Sequence, residues 1–171
     1  FIAVIGHLGN ALAFIVDKIL LTTAFKRSAT YAGLIGLMSF AVGVLWPWVA
    51  RWPGGAILAV GVLSGVTFIF ALWLFFAALA RSEASRVVPI VGSLIPVLTL
   101  VGTTTFLGER LGTQQLLGFA LLVIATLILS SSGGKAQPSR QAVVFAILSA
   151  SLFAFATVTA KAVYDDSGFL A

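Results

Sequence analysis

The chain has 171 residues, of which 60% are hydrophobic and only 9% charged, whereas about a quarter of the residues of an ordinary soluble domain are charged. The mean hydropathy of +1.14 extends over the whole length, which excludes a soluble protein with a single anchor or signal peptide. The net charge is +5, but the basic residues lie scattered between apolar runs, so they indicate membrane topology rather than nucleic-acid binding.

Charged residues divide the apolar sequence into six predicted transmembrane helices. In chain order these spans are 1–25, 29–50, 55–80, 87–107, 113–130 and a last helix within 141–171. Backbone groups in lipid must be hydrogen-bonded within their own segment, whereas barrel strands would be half as long and would alternate apolar with polar residues. The sequence therefore predicts an all-α polytopic bundle, with an aromatic belt at Trp46, Trp48 and Trp52.

The connections predict how the spans are grouped. The short turn 107–112 predicts that the fourth and fifth helices are antiparallel neighbours, and only 131–140 has the composition of a linker. Residues 1–130 are therefore predicted to form a first unit and 141–171 the start of a second. A match of Lys161 with Lys18 predicts an internal repeat, which an odd number of helices would insert upside down.

The fourth predicted helix has small and polar residues on one face. Pro89, Ser93, Pro96 and Thr99 recur at helical spacing, with Gly92 close by. Because proline removes a backbone hydrogen bond, this face predicts free carbonyls in a substrate cavity. The alternative is a kink whose small residues allow close helix packing.

The first predicted helix carries Asn10 and Asp17 on one face, followed by Lys18. A carboxylate within a membrane span is costly and is therefore a candidate for binding a cation or a proton. The alternatives are that Asn10 bonds a neighbouring helix and that Asp17 and Lys18 lie at the interface. Trp73, in an aromatic stretch of the third helix, is a candidate for substrate stacking, against lipid contact or core packing.

Several segments together resemble a known transporter family. They are residues 81–89, the helix that continues through Pro96, the turn 107–111, and Gln115 and Gly118 with the apolar tail to Ser130. This run resembles the end of an EamA repeat of the drug/metabolite transporter superfamily, and residues 10–21 are similar to the first helix of some bacterial members.

The resemblance implies a ten-helix carrier of two inverted five-helix repeats with a central cavity. It also makes the turn residues Gly108, Glu109 and Arg110 a family motif, in which Glu109 and Arg110 are expected to close the turn and cap helix ends by local pairing, with a gating role as the alternative. We expect the sequence to cover the first repeat and one helix of the second, so that its partners include a missing C-terminal repeat of the same chain.

The function predicted from these observations is secondary transport. The chain contains one histidine and five acidic residues, which are too few and too scattered for a catalytic cluster, and no GxxxxGK loop is present. We therefore predict no enzyme, cofactor, metal site or nucleic-acid partner. The expected protein is a carrier for small metabolites or drug-like compounds in the cytoplasmic membrane, with proton coupling and exchange both open; the alternative is a membrane scaffold that does not transport.

The charge distribution and the family resemblance predict opposite orientations of the chain in the membrane. Seven basic residues fall on one predicted side and three on the other, Arg51, Arg110 and Lys161. The positive-inside rule places the side with seven in the cytoplasm and the amino end outside. The family resemblance implies cytoplasmic ends for many members, so orientation stays open.

Overall fold

The structure, a computed structural model, describes residues 2–25, 27–41, 44, 54–132 and 139–168. Within these residues the chain forms six helices and the predicted all-α class is confirmed. The helices are α1 (Ile2–Thr23), α2 (Ser28–Ser39), α3 (Gly55–Arg81), α4 (Ala84–Phe106), α5 (Thr113–Ser132) and α6 (Arg140–Ser167).

Four of these helices are long and apolar enough to cross a membrane: α1 from Val4, and all of α3, α4 and α6. The 27 residues of α3 extend about 40 Å, which exceeds the roughly 30 Å hydrocarbon core of a bilayer. The apolar stretch described in α5, Thr113–Thr126, is shorter. Most of the predicted span 29–50 beyond α2 lies outside the described residues. The predicted aromatic belt at Trp46, Trp48 and Trp52 and the linker residues 133–138 also lie outside them.

Contacts between side chains fix the directions of the first three helices. Lys18 near the end of α1 bonds to carbonyl groups at the end of α3, so α1 and α3 run in the same direction. Tyr31 at the start of α2 packs on Phe76 late in α3, with ring centroids 4.7 Å apart, whereas Gly36 lies against Ile69. Because α2 therefore runs antiparallel to α3, the three helices alternate in direction as successive membrane spans do.

Helix α6 packs antiparallel against α3 through small side chains. Ala142, Ala146 and Ala150 recur every four residues and are fully buried. Two serine hydroxyls bond across the interface: Ser149 Oγ donates to the Ala71 carbonyl and Ser64 Oγ to the Ala156 carbonyl, each at 2.8 Å. Without a large hydrophobic driving force between helices in lipid, such close approach and interhelical bonding hold the bundle together.

Helix α4 also lies against α6 and continues through both of its prolines. At Gly102 the backbone comes so close to α6 that an added Cβ would stand 2.7 Å from a methyl group of Val158. The helix that follows the predicted linker is thus packed against α3 and α4. This arrangement leaves a cavity between α1, α3, α4 and α6.

Candidate functional site: a cavity between four helices

A cavity of about 430 Å³ lies between α1, α3, α4 and α6. Two residues predicted for a substrate cavity, Asn10 and Asp17, lie in its wall. They do so because residues 10, 13, 14 and 17 follow the spacing that places side chains on one face of a helix. The structure therefore places the polar face of α1 along this cavity, with Asn10 exposed and Asp17 half-buried.

Asp17 is held in place by a tyrosine from α2. The Tyr31 hydroxyl donates to Asp17 Oδ1 at 2.6 Å. Tyr31 is only 6% exposed, and its ring packs between Phe25 and Phe76 at centroid distances of 4.8 and 4.7 Å. Tyr31 was not predicted as a site residue from the sequence, although a tyrosine inside an apolar run usually finds a hydrogen-bond partner when it is buried.

Lys18, the other charged candidate of α1, is directed away from the cavity. Its ammonium group donates to the carbonyl of Leu79, and to that of Ser82 at 2.9 Å. These carbonyls lie at the C-terminal end of α3, where the helix lacks internal donors and carries partial negative charge. Lys18 therefore joins α1 to α3 and is not part of the cavity wall.

The wall contributed by α4 is offset from the face predicted by sequence. Val88, Val91, Gly92 and Ile95 line the cavity, whereas Pro89, Ser93, Pro96 and Thr99 are absent from its wall. The two sets differ by one residue, which turns a helix by 100°. Ser93 Oγ bonds within α4 to the Ile90 carbonyl at 3.0 Å, and the buried Thr99 hydroxyl has no partner among the described residues.

Pro96 still acts on the cavity through the backbone. Proline has no N–H group, so Pro96 leaves the carbonyl of Gly92 without the donor that an unbroken helix would supply. Gly92 lines the cavity and has open space where a Cβ would stand. The predicted role of this proline in freeing a carbonyl thus falls on a residue of the wall.

Four phenylalanine side chains also line the cavity. Phe14, Phe68, Phe75 and Phe153 come from α1, α3 and α6, and they form a connected cluster. Phe14 lies 5.4 Å from Phe75, Phe68 lies 5.3 Å from Phe153, and Phe75 lies 6.4 Å from Phe153, between centroids. None of these four phenylalanines was predicted from the sequence. Phe14 could have been, because its spacing from Asn10 and Asp17 places the three residues on the same helix face.

Trp73, the aromatic residue that was predicted, is not part of this wall. It is 40% exposed and its ring neighbour is Phe70, at 6.3 Å. The cavity face of α3 is formed instead by Phe68, Leu72 and Phe75, since these residues share one side of the helix.

The turn after α4, which leads to α5 in the chain, is linked to α6 by an ion pair. Gly108 adopts a φ of 68°, which glycine permits without steric cost, and the Glu109 N–H donates to the Thr103 carbonyl at 3.3 Å. The Glu109 side chain was expected to pair within the turn, and this prediction is wrong. Its carboxylate instead forms an ion pair with Lys161 in α6, at 3.0 Å from Nζ. Arg110 is exposed.

Residues 1–131 match the model of the EamA-like transporter family. The chain belongs to this family. The resemblance predicted from the proline helix and its turn is confirmed, and together with the long apolar helices it makes the chain an integral membrane protein.

Three curated proteins are similar over shorter stretches. An uncharacterised protein of Methanocaldococcus jannaschii is 34% identical over 76 residues, which are 44% of this chain and 55% of the relative. The fluoride-specific ion channel FluC of Xylella fastidiosa strain M23 is 34% identical over 116 residues, 63% of this chain and 84% of the channel. FluC of Xanthomonas axonopodis pv. citri is 31% identical over the same length and shares. The chain thus spans about half of the first relative, and no solved structure matches it.

Proposed function

We propose that this chain is the substrate-binding part of a secondary transporter that moves small metabolites or drug-like compounds across the cytoplasmic membrane. Alternating access of the cavity between α1, α3, α4 and α6 would carry the substrate. Energy would come from an ion gradient, from exchange or from the substrate gradient, because the sequence has no nucleotide-binding loop.

The observation that carries this proposal is the polar and aromatic cavity itself. Its volume of about 430 Å³ falls within the range of about 300–1,000 Å³ that is typical of small-molecule sites. Asn10, Asp17 and Thr157 supply polar groups in a mostly apolar wall, the pattern by which binding pockets orient a ligand. A packing scaffold, the alternative function, would gain nothing from a carboxylate held beside an open space.

A thermal-stability screen tests this function directly. The chain in lipid nanodiscs is heated with a panel of metabolites and drug-like compounds, and its unfolding temperature is recorded. A compound that binds only the folded state raises stability by mass action, by about 2.7 kcal/mol at a hundredfold excess over Kd. We expect at least one chemical class to stabilise the chain. A panel without any stabilising compound would support the scaffold instead.

Replacement of Asp17 tests the site within that screen. Asp17→Asn keeps an oxygen that can accept from Tyr31 but removes the charge, so we expect the stabilising compound to lose about tenfold or more in affinity. Glu83→Gln, which removes a carboxylate from the exposed start of α4, is the matched control. Equal affinity of both variants for the compound would remove Asp17 from the mechanism, and uptake into proteoliposomes extends the comparison to transport.

Similarity to the fluoride channels supports a second candidate, fluoride permeation. The charge of the cavity wall favours the first candidate, because a carboxylate repels an anion. A fluoride electrode decides between them, since liposomes that contain the chain and are loaded with fluoride would release it only if the second candidate is correct.

A further inference from the structure

Apart from the Asn10 amide, which can both donate and accept, the polar groups of the cavity wall offer hydrogen-bond acceptors to a ligand. Asp17 Oδ1 accepts from Tyr31, and within the described part of the chain no donor is found for the other carboxylate oxygen. Pro96 leaves the Gly92 carbonyl without its helical donor. The Thr157 hydroxyl, also in the wall, donates to its own helix at the Phe153 carbonyl, 2.9 Å away. Such a set of acceptors stabilises a positive charge.

The aromatic rings of the wall also favour a cation as the ligand. The face of a phenyl ring is negative, and a cation within about 6 Å of its centroid is attracted to it. Phe14, Phe68, Phe75 and Phe153 line the cavity from three helices. A cation in this space would therefore lie near a carboxylate and several phenyl rings together.

No competing positive charge is found among the described residues of the wall. Lys18, next to Asp17 in sequence, donates to the carbonyls of Leu79 and Ser82 instead. Lys161, further along α6, pairs with Glu109 and Asp165 at 3.0 and 3.1 Å. Asp17 is thus the one charged side chain in the described wall, and a bound cation would find no competing ammonium or guanidinium group there.

We propose that the cavity binds a small organic cation, an amine or quaternary ammonium group attached to an apolar or aromatic body. The ammonium group lies beside Asp17 and the Gly92 carbonyl, while the body lies among the phenylalanine rings. This proposal rests on the proposed function, since it treats the cavity as the substrate site, and it adds the charge and shape of the substrate.

A pair of probes that differ only in charge tests the proposal. Phenyltrimethylammonium is compared with tert-butylbenzene, which has the same shape but a carbon in place of the nitrogen, and benzoate serves as the anion. Binding to the chain in nanodiscs is measured by titration calorimetry. We expect the cation to bind about tenfold or more tightly than its neutral isostere, and benzoate to bind most weakly. Equal affinity for cation and isostere would overturn the proposal.

Variants assign the effect to the wall. Asp17→Asn should weaken phenyltrimethylammonium about tenfold and leave tert-butylbenzene within about twofold. Phe153→Leu keeps an apolar side chain but removes a ring face, so it should reduce the preference for the cation by about threefold. Phe155→Leu, on an exposed side of α6, is its control. If Asp17→Asn does not fold, the two phenylalanine variants still decide, because an unchanged preference in Phe153→Leu contradicts the aromatic site.

Failure of this proposal and failure of the proposed function give different results. A chain that binds neutral compounds from the panel but shows no preference for cations keeps the proposed function and loses this inference. A chain that binds phenyltrimethylammonium at Asp17 without transporting any compound keeps the cation site and loses transport.

Discussion

Asp17 and Lys18 are adjacent in sequence and have different roles in the structure. A step of one residue turns a helix by 100°, so Asp17 meets the cavity and Tyr31 whereas Lys18 meets the end of α3. The sequence predicted both as cavity residues, because it shows that a charged side chain lies within a span but not which neighbouring helix that side chain faces. Which of the two faces the cavity depends on the neighbouring helices.

Removal of the Lys18 ammonium group tests its structural role. Lys18→Met keeps most of the apolar stem but leaves the Leu79 and Ser82 carbonyls without this donor, so we expect a loss of roughly 1.5–3 kcal/mol in unfolding free energy. Probe binding in the folded variant should stay within about twofold of the original. Arg110→Met, in the exposed turn, is the control for loss of a positive charge. A Lys18→Met variant as stable as Arg110→Met would contradict the bond to α3.

Gly108 gives a second prediction for a single residue. Its φ of 68° is a conformation in which a Cβ approaches the following carbonyl, so Gly108→Ala should cost about 1–2 kcal/mol. Denaturant or thermal unfolding in detergent measures the loss. Gly112→Ala, four residues later in the same turn and without a positive φ, should change stability much less, and equal losses would exclude backbone strain as the cause.

At the scale of the elements, the contact between α4 and α6 decides the shape of the bundle. Glycine at 102 and alanines at 142, 146 and 150 let α6 approach both α3 and α4 closely. The sequence showed these residues as unremarkable members of a glycine- and alanine-rich protein. Their role depends on which helix lies opposite, and a single sequence does not contain that information.

Gly102→Ala tests this close contact. The new methyl group would stand 2.7 Å from Val158 Cγ2, and a β-branched side chain in a helix has little freedom to move. We expect a loss of about 1–3 kcal/mol, recovered in part by Val158→Ala in the same chain. Gly118→Ala, which has open space, is the control. A double variant no more stable than Gly102→Ala alone would contradict the contact.

At the scale of the whole molecule, the helix directions place chain segments at two ends of the bundle. The end of α1, the start of α2, the end of α3 and the starts of α4 and α6 lie at one end, near the described basic residues Lys18, Arg27, Arg81, Arg86 and Arg140. The turn after α4 lies at the other end, because Glu109 and Lys161 place the ends of α4 and α6 together. Among the described basic residues, this placement agrees with the grouping of charges used to predict orientation.

Cysteine labelling tests this arrangement, and the absence of native cysteine makes every introduced thiol unique. Ser28→Cys and Ser139→Cys should react from one side of the membrane and Thr113→Cys from the other. By the positive-inside rule the first two face the cytoplasm, so an impermeant maleimide added outside cells should label only Thr113→Cys. External labelling of Ser28→Cys would refute the charge argument, and labelling of Ser28→Cys and Ser139→Cys from opposite sides would refute the helix directions.

The sequence by itself determined the all-α class of this protein and its family. Long apolar runs can satisfy their backbone groups in lipid only as helices, and the proline helix with its glycine turn carried the resemblance. It also identified Asn10 and Asp17, because polar groups in lipid are costly wherever they lie. Only the tertiary structure decided that Gly92 and four phenylalanines complete the wall while Lys18, Trp73 and the Pro89–Ser93–Pro96–Thr99 face do not. The reason is that a cavity is formed by the relative rotation of packed helices, and packing is a property of pairs of surfaces.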